Sequence, residues 1–99
     1  LVGLGDVYKR QPYDTASVVV YFDYEGMADG QEVVWKVYVN GSEDLSLRGV
    51  ETWALGPAGQ AEKSFSFVFA QGGEYQVELY VEGHLVQRGA FVIEAPAGL

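Results

Sequence analysis

The sequence predicts an all-β fold, an antiparallel β-sandwich of about seven strands. Three observations lead there. The stretch from Gly73 to Val81 alternates strictly: Tyr75, Val77, Leu79 and Val81 are apolar, while Gln76, Glu78, Tyr80 and Glu82 lie between them. That is the period of a strand with one dry face and one wet face. Turn signals recur along the chain about every ten residues, as they do in sandwiches and barrels. No segment sustains a helical period over about eleven residues.

The elements follow in order. Pro12 to Ala16 is a polar lead-in, and Ser17 to Tyr24 is a strand rich in Val, Tyr and Phe. Val18, Val20, Phe22 and Tyr24 share one of its faces; Val19, Tyr21 and Asp23 share the other. Glu25 to Gly30 holds two glycines and an Asp-Gly pair, so it turns. Gln31 to Asn40 is the next strand, with Val33, Trp35, Val37 and Val39 on its apolar face and Val34, Lys36 and Tyr38 on its mixed face. Asn40-Gly41 signals a hairpin, because both residues tolerate positive φ. A strand or strand pair follows from Glu43 to Leu55, broken near Arg48-Gly49. Gly56-Pro57-Ala58-Gly59 is a loop; without a Lys-Ser/Thr ending or a following helix, it is no phosphate loop. Ala61 to Ala70 puts Phe65, Phe67 and Phe69 on one side with Lys63, and Ser64 and Ser66 on the other. Gly83-His84 is expected to turn the last hairpin, and Leu85 to Glu94 to close the sheet. The expected core is Val20, Phe22, Val33, Trp35, Val37, Phe65, Phe67, Tyr75, Val77, Leu79, Phe91 and Ile93.

Composition narrows the function. The 99 residues suit one domain, and 48% hydrophobic content gives it a core. The net charge of −8 repels phosphate backbones and anionic lipid, so no nucleic-acid partner is expected. The chain has no cysteine, which removes disulfides, thiolate catalysis and Cys-based zinc sites. No apolar run approaches the ~20 residues that span a bilayer, so no membrane insertion is expected.

Asp6-Val7-Tyr8-Lys9-Arg10-Gln11 resembles the translated end of a transposase sequencing adapter, GAT GTG TAT AAG AGA CAG, read in frame. On that resemblance residues 1–11 are a non-native, adapter-derived segment, residues 12–94 the domain and 95–99 a tail or linker. The natural N-terminus, upstream domains and an export signal would then precede this chain. Residues 1–11 are expected to lie loosely or to take an edge, where the first strand is missing or mimicked and association is a risk.

Gly73-x-Tyr75-x-Val77 resembles the sixth-strand motif of immunoglobulin-like domains, which predicts an Ig-like sandwich. The resemblance implies that Tyr75 anchors a corner through its hydroxyl and that Val77 stands where the inter-sheet Cys would be. It also implies that Phe22 is the opposite number of Val77, and that Trp35 is the buried tryptophan of the third strand. A wider pattern covers almost all of residues 17–94. It runs Phe22-x-Tyr24-x-Gly26-Met27-x-x-Gly30, Trp35-x-Val37-Tyr38-x-x-Gly41, Trp53-x-x-Gly56-x-x-Gly59 and Gly73-x-Tyr75-x-Val77-x-Leu79-Tyr80-Val81-x-Gly83-x-Leu85-Val86-x-x-Gly89-x-Phe91. This resembles uncharacterised accessory sandwich domains of exported environmental bacterial proteins, often found beside trypsin-like peptidase or lipoprotein regions. The resemblance implies an extracellular or envelope location and a neighbouring domain of the same polypeptide as partner.

The chemistry-bearing residues are few. His84 is the single histidine and falls in a turn, so a triad or His-based metal site is not expected. Asp23, Glu25, Asp29 and Glu32 surround one turn, yet lack the alternating ligand loop of an EF-hand; Asp29-Gly30 is what a turn needs for itself. Glu74, Glu78 and Glu82 read as a solvated face rather than as paired acids. Tyr21, Tyr38, Trp53 and Tyr80 are the candidate binding residues, an aromatic platform for sugar rings or a protein. The expected function is a non-catalytic accessory or spacer module without a cofactor. The alternative is a carbohydrate- or surface-binding module that uses those aromatics.

Overall fold

The computed structural model describes the backbone of residues 2–10, 15–68 and 72–93, and the side chains of residues 18–66 and 72–93. The expected core residue Phe67, together with Phe69 and the tail at 95–99, lies outside the described side chains.

Among the described residues, alternating apolar positions fold into eight strands, seven of them four residues or longer. They are β1 (Val2–Arg10), β2 (Thr15–Tyr24), β3 (Glu32–Val39), β4 (Ser42–Glu43), β5 (Gly49–Thr52), β6 (Gly59–Val68), β7 (Gly73–Val81) and β8 (His84–Ile93). One sheet has the order β1-β2-β6; the other has β4-β3-β7-β8, with β5 also pairing β3. Every described pairing is antiparallel. Residues 2–10 thus hold the edge beside β2, through a register shift between Leu4 and Val7.

The expected strand pair at 43–55 is a single edge broken in two. β4 pairs the far end of β3 at Tyr38 and Val39, and β5 pairs the near end from Glu32 to Trp35. A 3-10 turn at Leu45–Leu47 separates them, capped by the Asp44 carboxylate, which accepts from the Ser46 backbone N–H. The β3–β4 turn is Asn40-Gly41, with φ of 49° and 86°, as the sequence predicts. The last hairpin differs by one residue. Its turn is Glu82-Gly83, with φ of 50° and 80°, and His84 begins β8.

The dry faces meet between the sheets. Trp35 on β3 is 1% exposed and stands edge-on to Phe22 of β2 at 5.4 Å and to Phe65 of β6 at 6.1 Å. Its indole N–H donates to Glu51 of β5, which also pairs with Lys63 of β6 at 3.4 Å. That pair bridges the two sheets along their open side. Tyr75 is buried and stacks on Phe91 at 5.4 Å. The core also takes in Val18, Tyr24, Met27, Trp53 and Val81, beyond those expected.

The Asn40 turn is fastened to the start of β7. Asn40 Oδ1 accepts from the Glu74 backbone N–H at 2.9 Å, and its own N–H donates to the Glu74 carbonyl at 2.8 Å. Gly73 leaves the room for this: its φ is 143°, and a Cβ there would collide with the Asn40 amide. Gly73→Ala is therefore expected to cost about 1–3 kcal/mol, read as a lower urea midpoint. A midpoint unchanged from the native chain would show that the Asn40 amide can move aside at no cost.

Candidate functional site

The four candidate aromatics do not share one surface. Trp53, placed by sequence among the exposed aromatics, is only 4% exposed. It lies edge-on to Tyr24 at 4.7 Å, and its indole N–H donates to the Gly56 carbonyl at 2.8 Å. There it laces two loops over one end of the sandwich. Trp53 N–H donates to the Gln31 carbonyl, Gly30 N–H to the Trp53 carbonyl, and Met27 N–H to the Pro57 carbonyl. Tyr24 completes the corner by donating to the Leu55 carbonyl at 2.8 Å. Tyr21 is 45% exposed but lies on the outer face of the β1-β2-β6 sheet.

Tyr38 and Tyr80 do come together, on the outer face of the larger sheet. What joins them is Glu78. Sequence alternation placed this carboxylate on a solvated face; it is in fact 4% exposed. Its Oε1 accepts from the Tyr80 hydroxyl at 2.8 Å. Its Oε2 accepts from Arg88 Nε and Nη2 at 3.0 and 2.8 Å, and from the Gln76 amide at 3.4 Å. Lys36 stands opposite Glu78 on β3, with its Nζ 4.4 Å from the centre of the Tyr80 ring. Long side chains on three strands close over the carboxylate, which is why a wet-face position is dry.

Burial alone would push the Glu78 carboxyl up, but the hydrogen bonds from Tyr80 and Arg88, the Tyr38 hydroxyl and the Arg88 charge outweigh it and hold the pKa below the usual range. The same carboxylate raises Tyr80 through the hydrogen bond; Tyr38 is raised by burial first and then by the Glu78 charge. At the rim beside Tyr38, Arg48 donates two bonds to Glu43 at 2.7 and 2.8 Å, and the bonding lowers the Glu43 pKa.

A β-bulge makes this network possible. β7 and β8 pair Tyr80 with Leu85 but Leu79 with Gln87, so Val86 is one extra residue on β8. Counting back from the turn without the bulge would set Arg88 opposite Val77, facing inward. The slip turns Arg88 outward to Glu78.

Beside Tyr38 the face dips into a groove of about 390 Å³, walled by Tyr38, Glu74, Gln76, Ala90 and Val92 and floored near Phe91. His84 is exposed at the start of β8, and Asp29 accepts from the Gly56 backbone N–H at 2.8 Å, a turn bond rather than a shared metal shell. Among the described residues no three His, Cys, Asp or Glu side chains converge as metal ligands, and no helix is long and apolar enough to cross a membrane.

Neither protein-family models nor curated proteins match the chain. Its fold is similar to part of the Pseudomonas fluorescens alkylpurine DNA glycosylase AlkC, solved bound to DNA containing an abasic site analogue. The TM-score is 0.52 at 12% identity, over 95% of this chain and 30% of that one. The chain therefore spans under a third of that protein, and the likeness concerns the fold alone.

Proposed function

We propose that this chain is a non-catalytic interaction module, an Ig-like accessory part of a larger secreted or envelope protein, and that it presents the outer face of the β4-β3-β7-β8 sheet. The observation that carries the reading is the buried Glu78. Desolvating a carboxylate on an outer sheet face is costly unless every bond is met. Meeting them here fixes Tyr80, Arg88 and Gln76 into one patterned surface, and such preorganised polar and aromatic surfaces suit recognition.

The strand order supports the Ig-like part of the reading. β1, β2 and β6 face β3, β7 and β8, as the first, second and fifth strands face the third, sixth and seventh in that fold. The module part draws support from a neighbour in which this fold fills 30% of the chain. That neighbour is solved on DNA; for this chain the −8 charge favours partners other than nucleic acid.

A second reading, carbohydrate binding, rests on the groove beside Tyr38. An aromatic wall with the Gln76 amide and the Glu74 carboxylate is the mixture that sugars engage. A glycan array with parallel pull-downs separates the readings. Tyr38→Ala is expected to reduce binding about tenfold or more, and Tyr21→Ala on the opposite sheet to leave it unchanged. Binding lost with Tyr21→Ala and kept with Tyr38→Ala would move the site to the other face.

A further inference from the structure

We infer that the groove beside Tyr38 binds an arginine side chain of a partner protein. The inference rests on the reading of this face as the interaction surface, and it names the chemistry that the partner brings.

The character of the groove follows from what Glu78 does to its neighbours. A carboxylate accepts hydrogen bonds and gives none. Tyr38 and Tyr80 turn their hydroxyls to it, and Gln76 turns its amide nitrogen to it at 3.4 Å. The Gln76 amide oxygen is therefore the end turned from Glu78, and it too only accepts. Glu74 follows on the same face of β7. Its backbone is held by two bonds to Asn40, which fixes its place. Its carboxylate is exposed, and among the described residues no cation pairs with it. The other charges nearby are engaged. Glu78 is paired with Arg88, Glu43 with Arg48, and Lys36 lies over the Tyr80 ring, beyond Glu78 from the groove. The charge left on the groove wall is that of Glu74.

The groove thus offers a carboxylate, an amide oxygen and a tyrosine ring, beside the apolar surfaces of Ala90 and Val92. An arginine side chain answers each of these. Its guanidinium has five donors in one plane, no acceptor and a permanent charge, and it stacks on aromatic rings. Its apolar stem covers Ala90 and Val92, the latter 51% exposed. A sugar hydroxyl donates as well as accepts, so its lone pairs would find little here. An acidic side chain would be repelled by Glu74. The groove volume of about 390 Å³ lies at the lower end of the roughly 300–1,000 Å³ of ligand sites, which suits a single anchoring side chain. The −8 charge of the chain draws basic partners to it.

NMR titration of the isotope-labelled full chain with the blocked peptide acetyl-Ala-Ala-Arg-Ala-Ala-amide tests it. Its citrulline counterpart keeps the shape and loses the charge. Saturable amide shifts are expected at Gln76, Ala90 and Val92, with a Kd on the order of 1 mM. The citrulline peptide is expected to bind about fivefold or more weakly. Glu74→Gln is expected to keep the thermal midpoint and to weaken binding about threefold. Glu62→Gln removes the same charge from the opposite sheet and is expected to leave binding unchanged. No shift at these residues up to about 10 mM peptide would overturn the inference. So would equal binding of the citrulline peptide, or equal losses with Glu74→Gln and Glu62→Gln, since net charge alone would then be the attraction. If the arginine peptide fails but a glycan or protein binds in a Tyr38-dependent way, arginine is excluded while the face keeps its role. If nothing binds through Tyr38, both fail.

Discussion

Trp35→Ala is expected to lower the unfolding free energy by about 3–5 kcal/mol. A domain of this size holds about 5–15 kcal/mol in total, so the variant would be largely unfolded at modest urea. Trp35 is 1% exposed and stands between the sheets, edge-on to both Phe22 and Phe65. Removing the indole takes away its own burial and leaves a cavity that two sheets, fixed by their ladders, cannot close. The lost hydrogen bond to Glu51 adds little, because that carboxylate reaches water and keeps Lys63. Trp35→Phe should therefore retain most of the stability. Circular dichroism during urea titration measures both. A loss below about 1 kcal/mol for the alanine variant would mean that the sheets are held elsewhere.

The inner half of this fold could be read from the chain, and the outer half could not. Val33, Trp35, Val37, Tyr75, Val77 and Leu79 are buried where a period of two placed them, because an inner face excludes water at every second residue. Asn40-Gly41 was legible because positive φ at two successive residues demands that chemistry. Trp53 was not, because it sits in a loop, outside any period, and is held there by backbone bonds with Gly30 and Gln31. Glu78 was hidden for a different reason. Its alternation correctly gives the outer face, but outer is not the same as wet once a neighbouring strand supplies an arginine. Whether it does depends on the extra residue Val86, and a one-residue bulge leaves no mark in composition or periodicity. Cations on two strands flanking a strand of glutamates were the available signal, usable only with the register known.

Arg88→Met is the variant that exposes what Glu78 costs and what it returns. Removing one partner of a buried ion pair leaves the other charge dry, and about 1–3 kcal/mol of stability is expected to go at neutral pH. Arg88 is half in solvent, so water entering behind it keeps the loss at the lower end. Glu78→Leu together with Arg88→Met removes both charges and fills the space, and should recover most of the loss. The pH dependence has a defined sign. In the native chain the Glu78 pKa is held below its unfolded value, so its contribution is present above the unfolded value of about 4.3 and fades as pH falls through the folded one. Glu43, bonded to Arg48, acts in the same direction. Without Arg88, the lowering interactions shrink while the burial that raises the pKa remains. The native loss of stability as pH falls below the unfolded carboxylate value should then flatten in Arg88→Met, and in the double variant only the Glu43 share should persist. Urea midpoints at several pH values measure these slopes. Identical slopes in all three proteins would mean that Glu78 is not held charged, and the patterned face would lose its central support.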